Sequence, residues 1–474
     1  MTESSACELA VLGGGPGGYA AAFLAADLGK RVTLIDREEN PGGVCLYRGC
    51  IPSKALLHLA RVIREASEAD AMGVSFGKPR VDIDRVRAWK NSVVSKQTGG
   101  LGQLLKARKI DYVRGSGRFT AGRTIQVDRQ DGKTELVTFE KAIVATGSRP
   151  AVVPAIALDD DRVVNSTGAL ELVDIPRSLL VVGGGYIGLE MGTVYAALGS
   201  RVTVVEMMPG ILPGADRDLV RVLEKNLAQR FDAVHVKTKV TKVKPVKSGV
   251  NVSFEGEKAP SRAVRFDRVL VSVGRRPNTE NIGLESTAVV VNKQGFIEVN
   301  AQRRTAEPTI YAIGDVVGGA MLAHKAAHQG RTAVEAIAGE KAAFDPAAIP
   351  AVIFTDPEIA WAGLTETEAK ERGIAAKVAK FPWAASGRAS TLERNDGLTK
   401  LLVDPESERV LGVGIVGVGA GDMIAEGVLA IEMAALAGDV AATIHPHPTL
   451  SETVMEASEV FLGTSPHVYR PRRS

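Results

Sequence analysis

The chain has 474 residues, enough for three or four domains of about 100 to 200 residues each, and its 45% apolar and 24% charged side chains fit a globular protein with a sizeable core. Net charge is +3 with no basic block, and aromatic content is 5%, which excludes nucleic acid as an expected partner. No uninterrupted apolar run approaches the roughly 18 residues of a membrane span, and Met1 to Glu8 is polar, so no membrane association is expected and the compartment is read as cytoplasmic, where a disulfide usually means catalysis.

Cys7 enters the first predicted strand alone and reads as an ordinary buried thiol. Glu8 to Asp36 then reads as strand, glycine-rich turn, helix and strand, with Gly13, Gly15 and Gly18 in the turn and Asp36 closing the second strand. In this fingerprint the first glycine permits the tight turn, the second lets a pyrophosphate approach the backbone, and the third lets helix and strand pack closely. The helix N-terminus holds the phosphates, and the acid accepts hydrogen bonds from a ribose diol.

Cys45 and Cys50 follow in the run Gly42 to Lys54. Four intervening residues match neither a thioredoxin-like dithiol nor half of a four-ligand zinc site, since Cys7 is the only other cysteine; no metal is expected. On a regular helix the pair would stand roughly 7.5 Å apart along the axis. A disulfide tolerates about 7 Å between α-carbons. A bridge therefore requires a distorted first turn, which Gly49 and Pro52 can supply. A reversible disulfide is the favoured use, and two buried unpaired thiols are the alternative.

Helical spacing continues over Leu56 to Ala71, and Leu101 to Lys109 reads as the end of a further helix. Turn-punctuated strands follow over Gly115 to Glu140, and Lys141 to Pro150 is a buried strand leaving through the turn at Thr146 and Gly147. Ser178 to Glu206 then repeats the first unit at an offset of 170, with Gly183, Gly185, Gly188 and Glu206 answering Gly13, Gly15, Gly18 and Asp36. Two copies, each with an acid 23 residues beyond its first glycine, make chance a poor account and predict two dinucleotide sites. Glu206 predicts a second site preferring NAD over NADP, because a carboxylate repels a 2′-phosphate. Only the first unit is followed closely by the cysteines, so the redox ring belongs there. Val269 to Pro277, with Gly274, repeats the exit strand, and Pro346, Pro350 and Pro357 mark the passage to a C-terminal region of strands and an apolar helix near Met423 to Leu436.

His445 and His447 both precede proline, which biases their backbones to extended geometry. His447 is the candidate base for a thiol, and Glu452 can orient its imidazole. Thr449 to Glu452 also matches a capping box for the last helix. His445 is read as equally suited to a structural role. His58, His235, His324, His328 and His467 are read as ordinary surface or packing residues.

The whole chain resembles the class I pyridine nucleotide-disulfide oxidoreductases, and Gly-Cys-Ile-Pro-Ser-Lys with His-Pro-His-Pro-Thr-Leu-Ser-Glu resembles their dihydrolipoamide-oxidising branch. The resemblance implies an α/β fold: two Rossmann-like dinucleotide-binding domains, for FAD and NAD, plus a C-terminal α+β dimerisation domain. It implies boundaries at 1–150 (FAD, with the redox disulfide), 151–276 (NAD), 277–345 (completing the FAD site) and 346–474 (interface). Cys45 would be the interchange thiol that meets substrate and Cys50 the sulfur beside the flavin. Lys54 would sit near the flavin paired with Glu190, and Asp315, in Thr309-Ile-Tyr-Ala-Ile-Gly-Asp315, would bind the ribityl chain. An alternative use of Asp315 is as a cap of a helix starting near Ala320. Thr146, Gly147 and Gly274 are carried over as cofactor-facing. His447 and Glu452 would serve the partner subunit of a homodimer. The implied substrate arrives on lipoyl domains around a dihydrolipoyl acyltransferase core, or on a glycine-cleavage lipoyl protein.

Rival activities differ in sequence. A glutathione-reductase-like enzyme would carry arginines where Glu206-Met207-Met208 stands, a mercuric reductase would carry a C-terminal cysteine pair, and a docking flavoprotein subunit would not depend on Cys45. Two departures from the family pattern stand out. Leu46-Tyr47-Arg48 adds bulk and charge between the cysteines, so Arg48 either depresses a thiol pKa or faces solvent, and Ser386 stands where asparagine is common.

Overall fold

The computed structural model describes residues 3–469 apart from 155 and 258. The first glycine unit forms as β1 (Glu3–Leu12), α1 (Pro16–Asp27) and β2 (Val32–Asp36), with Leu9, Ala10 and Val11 fully buried as befits a strand covered on both faces. The segments α2 (Gly43–Arg48), α3 (Cys50–Glu68) and α4 (Ile83–Ala107) follow, then β3 (Asp111–Ala121), β4 (Thr124–Arg129), β5 (Thr134–Val144) and β6 (Ser148–Pro150). The second unit comprises β7 (Val163–Val164), α5 (Ser166–Glu171), β8 (Ser178–Val182), α6 (Tyr186–Ala197), β9 (Arg201–Val205), α7 (Arg217–Arg230) and β10 (Ala233–His235). It continues through β11 (Thr238–Val246), β12 (Gly249–Gly256), β13 (Val264–Phe266), β14 (Arg268–Val271) and β15 (Arg275–Pro277). Next, β16 (Ile310–Ala312) and α8 (Ala323–Ile337) return to the first unit.

The repeat in sequence becomes a repeat in topology. Parallel strands run β3-β2-β1-β5-β16 in the first unit and β10-β9-β8-β14-β7 in the second. Antiparallel strands extend the first sheet through β4 and accompany the second as β11-β12-β13. The two exit segments meet, since β6 pairs antiparallel with β15.

The C-terminal region is a five-stranded antiparallel sheet of β17 (Ala351–Ile353), β18 (Glu358–Gly363), β19 (Lys377–Pro382), β20 (Leu398–Val403) and β21 (Val410–Gly417), ordered β17-β18-β21-β20-β19. Its helices are α9 (Glu366–Arg372), α10 (Gly387–Thr391), α11 (Ala420–Glu432), α12 (Ala437–Ala442) and α13 (Glu452–Leu462). Ile353, Ile359 and Val416 of this sheet share one apolar core with Leu219 and Leu223 of α7 and Leu56 of α3, so the region seats on both nucleotide units.

An ionic cluster ties the same surfaces. Lys400 of β20, 1% exposed, reaches Asp216 at 2.6 Å and Asp218 at 2.9 Å at the start of α7, and Glu366 of α9 at 2.7 Å. These carboxylates lie close enough together to suit a cation, and the lysine ammonium is that cation. Although burial alone would raise it, hydrogen bonds from Lys380 and Lys400 hold the Asp218 carboxyl down at about 2. Ser386 caps α10 by accepting the Ala389 N–H at 3.3 Å, a role that asparagine fills equally well.

Candidate active site

Both glycine turns show the same division of labour. A Cβ on Gly13 would stand 2.3 Å from the Ala145 carbonyl oxygen, and one on Gly18 would stand 1.8 Å from that of Gly13. In the second unit a Cβ on Gly183 would meet the Ser272 carbonyl oxygen at 2.5 Å, and one on Gly188 that of Gly183 at 2.3 Å. Around Gly15 and Gly185 a Cβ would meet nothing within 4 Å. The first and third glycines are thus required by the protein's own packing, and the second leaves the backbone open. Gly15 and Gly185 are also the N-caps of α1 and α6, which have no side-chain cap and no acidic residue in the first turn. Unsatisfied N–H groups at such an end suit a phosphate.

Asp36 accepts the N–H groups of Gly14 and Glu38, and Glu206 accepts those of Gly184 and Met208, each at 2.7 Å. Each carboxylate offers about four acceptor positions, so both retain capacity for a ribose diol.

A cavity of about 790 Å³ connects the first turn to the cysteines. Its wall includes Gly13, Gly15, Asp36, Thr146, Gly147 and Asp315, together with Cys45, Cys50, Lys54 and Glu190. Gly18 lies behind this wall, against Gly13. Asp315 accepts the Ser148 hydroxyl and stands in a short 3-10 turn, Gly314–Val317. It caps no helix, because α8 begins at Ala323 after Leu322. The Thr146 hydroxyl is engaged by the protein, donating to the Asn278 carbonyl at 2.7 Å. The expected second-site residues Gly183, Gly185, Gly188, Glu206 and Gly274 cluster at the strand ends of the second sheet, outside this wall, where a topological switch places nucleotide clefts.

The distorted turn between the cysteines takes the form of a helix break. α2 stops at Arg48, Gly49 adopts φ −147° and ψ −110°, and α3 starts at Cys50. Both cysteines are thiols in this structure. A hydrogen bond between them moves the two thiols in opposite directions. Hydrogen bonding with Cys50, reinforced by burial, pushes the Cys45 thiol far up. The same hydrogen bond lowers Cys50 to about 7 against a burial penalty, with Lys54 assisting and Glu190 opposing.

Lys54 pairs with Glu190 at 2.8 Å, and its ammonium lies 4.6 Å from the centre of the Phe354 ring. Glu190 is 3% exposed and also accepts the Phe354 N–H at 3.0 Å, so the pair joins α3, α6 and the approach to β18. Replacing Lys54 by methionine is expected to raise the Cys50 midpoint by about 1 unit, read from thiolate ultraviolet absorbance of the reduced protein. An unchanged midpoint would remove Lys54 from this role. The sign for stability follows from a folded value below the ordinary 9.0. For the pair, stability rises as pH goes from about 7 to 9, where Cys50 has ionised only in the folded state, and falls again above pH 9, where the raised Cys45 thiol keeps a proton that the unfolded chain releases.

His447 and Glu452 form a dyad elsewhere on the chain. Imidazole Nδ1 lies 2.8 Å from Glu452 Oε1, and the His447 side chain is 78% exposed. Glu452 Oε2 accepts the Thr449 N–H at 2.7 Å. Burial alone would raise the Glu452 carboxyl, but the Thr449 and His447 hydrogen bonds lower it. Half of the capping box is therefore present, and the same carboxylate holds the imidazole. The Thr449 hydroxyl donates to the Pro446 carbonyl at 2.7 Å and lies 2.9 Å from the hydroxyl of Ser451, the N-cap of α13, so it does not supply the other half of the box. His447 is not among the residues lining the cysteine cavity of its own chain. His445 is instead buried, between the Thr443 carbonyl at 2.8 Å and Glu426 of α11 at 2.7 Å, which makes it a latch.

Sequence reasoning missed Ser148, Arg275 and Tyr186, all on the cavity wall. Arg275 donates from Nε to the Ser148 hydroxyl at 2.7 Å, so β6 and β15 together position Asp315. The repeated exit segment was the available signal, and Arg275 lies inside it. Arg48 pairs with Glu38 while its side chain remains 38% exposed, so it faces solvent in part.

Residues 7–330 match the family model described as pyridine nucleotide-disulphide oxidoreductase, and residues 349–458 match that family's dimerisation domain. The chain is 51% identical over 464 residues to a Vibrio cholerae protein named dihydrolipoyl dehydrogenase, covering 98% of this chain and 97% of that one. A Geobacillus stearothermophilus protein of the same name is 45% identical over 461 residues, covering 97% of each. Among solved structures, LpdA from Mycobacterium tuberculosis superposes with a TM-score of 0.89 at 28% identity, covering 96% of this chain and 99% of that one. The HOCl-induced flavoprotein disulfide reductase RclA from Escherichia coli gives 0.86 at 27%, with the same coverage. The chain belongs to the pyridine nucleotide-disulphide oxidoreductase family.

Proposed function

We infer that this protein is a homodimeric flavoenzyme that oxidises dihydrolipoamide to lipoamide and reduces NAD. The observation that carries this reading is a single cavity that runs from the glycine cradle at Gly13 and Gly15 to the paired sulfurs of Cys45 and Cys50, with Lys54 and Glu190 on its wall. Relatives named dihydrolipoyl dehydrogenase, 43 to 51% identical over nearly the whole chain, supply the substrate.

FAD fits the first unit, where Gly13, Gly15, Gly18 and Asp36 would hold its adenosine diphosphate, and Thr146, Gly147, Asp315 and Lys54 would line the rest. When bound it supplies a two-electron acceptor for the cysteine dithiol and a hydride donor to NAD. NAD fits the second unit, at Gly183, Gly185, Gly188, Glu206 and Gly274, with Glu190 at the junction. The proposed boundaries are 1–150, 151–276, 277–345 and 346–474.

The cysteine chemistry follows from leaving-group strength. A substrate thiolate attacks whichever sulfur of the Cys45–Cys50 disulfide expels the more acidic partner, because thiols of lower pKa leave faster. The Lys54 ammonium favours a thiolate at Cys50, which makes Cys50 that partner, so attack falls on Cys45 and gives a mixed disulfide. The second substrate thiol attacks the substrate sulfur in that mixed disulfide. Lipoamide leaves, and Cys45 is expelled as a thiol, protonated as it departs. With its pKa pushed far up, Cys45 needs a proton to leave. His447, held by Glu452, takes protons from the substrate thiols and returns one to Cys45. The dyad serves the partner's cysteines, which agrees with its exposure and with the dimerisation domain around it.

The proposed site of action is the cytoplasm; among the described residues no helix is long and apolar enough to cross a membrane. Lipoyl domains of a 2-oxo acid dehydrogenase complex, seated around its acyltransferase core, or a glycine-cleavage lipoyl protein would deliver the substrate. Anaerobic addition of dihydrolipoamide to the purified yellow protein, followed by NAD, tests the reading. The expected result is partial bleaching of the flavin absorbance, then its return with formation of NADH. A flavin spectrum indifferent to dihydrolipoamide would overturn it.

A further inference from the structure

Arg48 ends α2, three residues after Cys45, and its guanidinium donates from Nη2 to Glu38, which lies two residues beyond the ribose acid Asp36. Both side chains line the cavity, as do Asp36, Arg37 and Gly15, and they come from different segments, Glu38 from the loop after β2 and Arg48 from α2. Three further contacts fix these segments. The Tyr47 hydroxyl accepts the Asn40 N–H at 3.2 Å and donates to the Asn40 carbonyl at 3.1 Å, and the Tyr112 hydroxyl donates to the Glu38 carbonyl at 3.0 Å. The Arg48 guanidinium also lies 6.0 Å from the centre of the Tyr47 ring.

The surroundings of this ion pair distinguish it from an ordinary surface pair. The Glu38 side chain is 23% exposed and that of Arg48 38%, so the pair is shielded enough to matter and exposed enough to open. Tyr47 and Tyr112 hold the backbone on either side, so opening the pair requires only rotation of two side chains. The pair joins the loop after β2 to the turn that carries the redox cysteines, across the end of the cavity marked by Asp36.

We propose that Arg48 and Glu38 form an ionic strap over the adenosine end of the flavin cavity, which closes after FAD enters and slows its release. The proposal rests on the assignment of FAD to the first unit. Its test is the rate at which the holoprotein loses flavin on dilution, followed by the fluorescence of the freed flavin. R48A and E38A are each expected to release FAD about 2- to 5-fold faster, the range open to a half-shielded ion pair. The double variant should be no faster than either single one, because both remove the same interaction. The charge-swapped R48E/E38R variant should return to within about 2-fold of the parent. Added salt should accelerate release from the parent and not from R48A, since screening weakens only an intact pair. Unchanged release from R48A, or multiplied effects in the double variant, would overturn the strap. A parent protein that holds no FAD would instead overturn the flavin assignment, so the two failures are distinguishable.

Discussion

Cys45→Ser is expected to lower dihydrolipoamide-dependent NAD reduction by about three orders of magnitude or more, a loss of ~4 kcal/mol in transition-state stabilisation. Serine cannot be the sulfur that receives the substrate thiolate, and no other cysteine can replace it. Cys7 lies in β1 with its thiol pushed up by burial, which marks an inert group. The half-buried Cys45 side chain is not a core element, so the thermal midpoint should change little. Steady-state NADH formation and a thermal melt of the same preparation separate lost chemistry from lost fold. Residual turnover within tenfold of the parent would show that the substrate does not pass through this sulfur, and would favour a docking role for the flavoprotein.

The second large effect concerns where the base stands. His447→Gln should lower turnover by about 10²-fold or more, the typical worth of a positioned general base. Mixed dimers then locate it. In a heterodimer of one Cys45→Ser and one His447→Gln subunit, sites built across the interface give one doubly defective site and one intact site. Such heterodimers, isolated with two affinity tags, should recover about half the parent activity. Sites completed within one chain would leave both centres defective and the heterodimer as inactive as its parents. The 78% exposure of His447 and its absence from the wall of its own cavity favour the first outcome.

Much of this arrangement was legible because it is local. The glycine spacing, the acid 23 residues on and the cysteine turn all lie within short windows, and duplication at an offset of 170 made the pattern specific. The same duplication reappears as two parallel sheets of matching strand order. Positions set by long-range pairing or by an irregular loop were not legible. Arg48 looked like a charge beside two thiols, and although Glu38 is only 10 residues away, pairing them depends on the path of the irregular loop between, which has no periodic signal. Asp315 could be read as a helix cap until Ser148, 167 residues away, took its carboxylate. His445 and His447 share one local motif, and tertiary packing alone buries the first against Glu426 and leaves the second exposed.

The lysine at the heart of the C-terminal sheet has a consequence for nucleotide traffic. Lys400 bonds carboxylates on the second nucleotide unit and on the C-terminal region at once, almost without contact with water. Swinging the second nucleotide unit away would part this ammonium from Asp216 and Asp218 and leave it with Glu366 alone, at a cost of several kcal/mol while the lysine stays shielded. A hinged gate is therefore an expensive way for this molecule to admit its soluble electron carrier. Passage between the two nucleotide floors falls to individual side chains at their seam, moving within an otherwise unyielding frame.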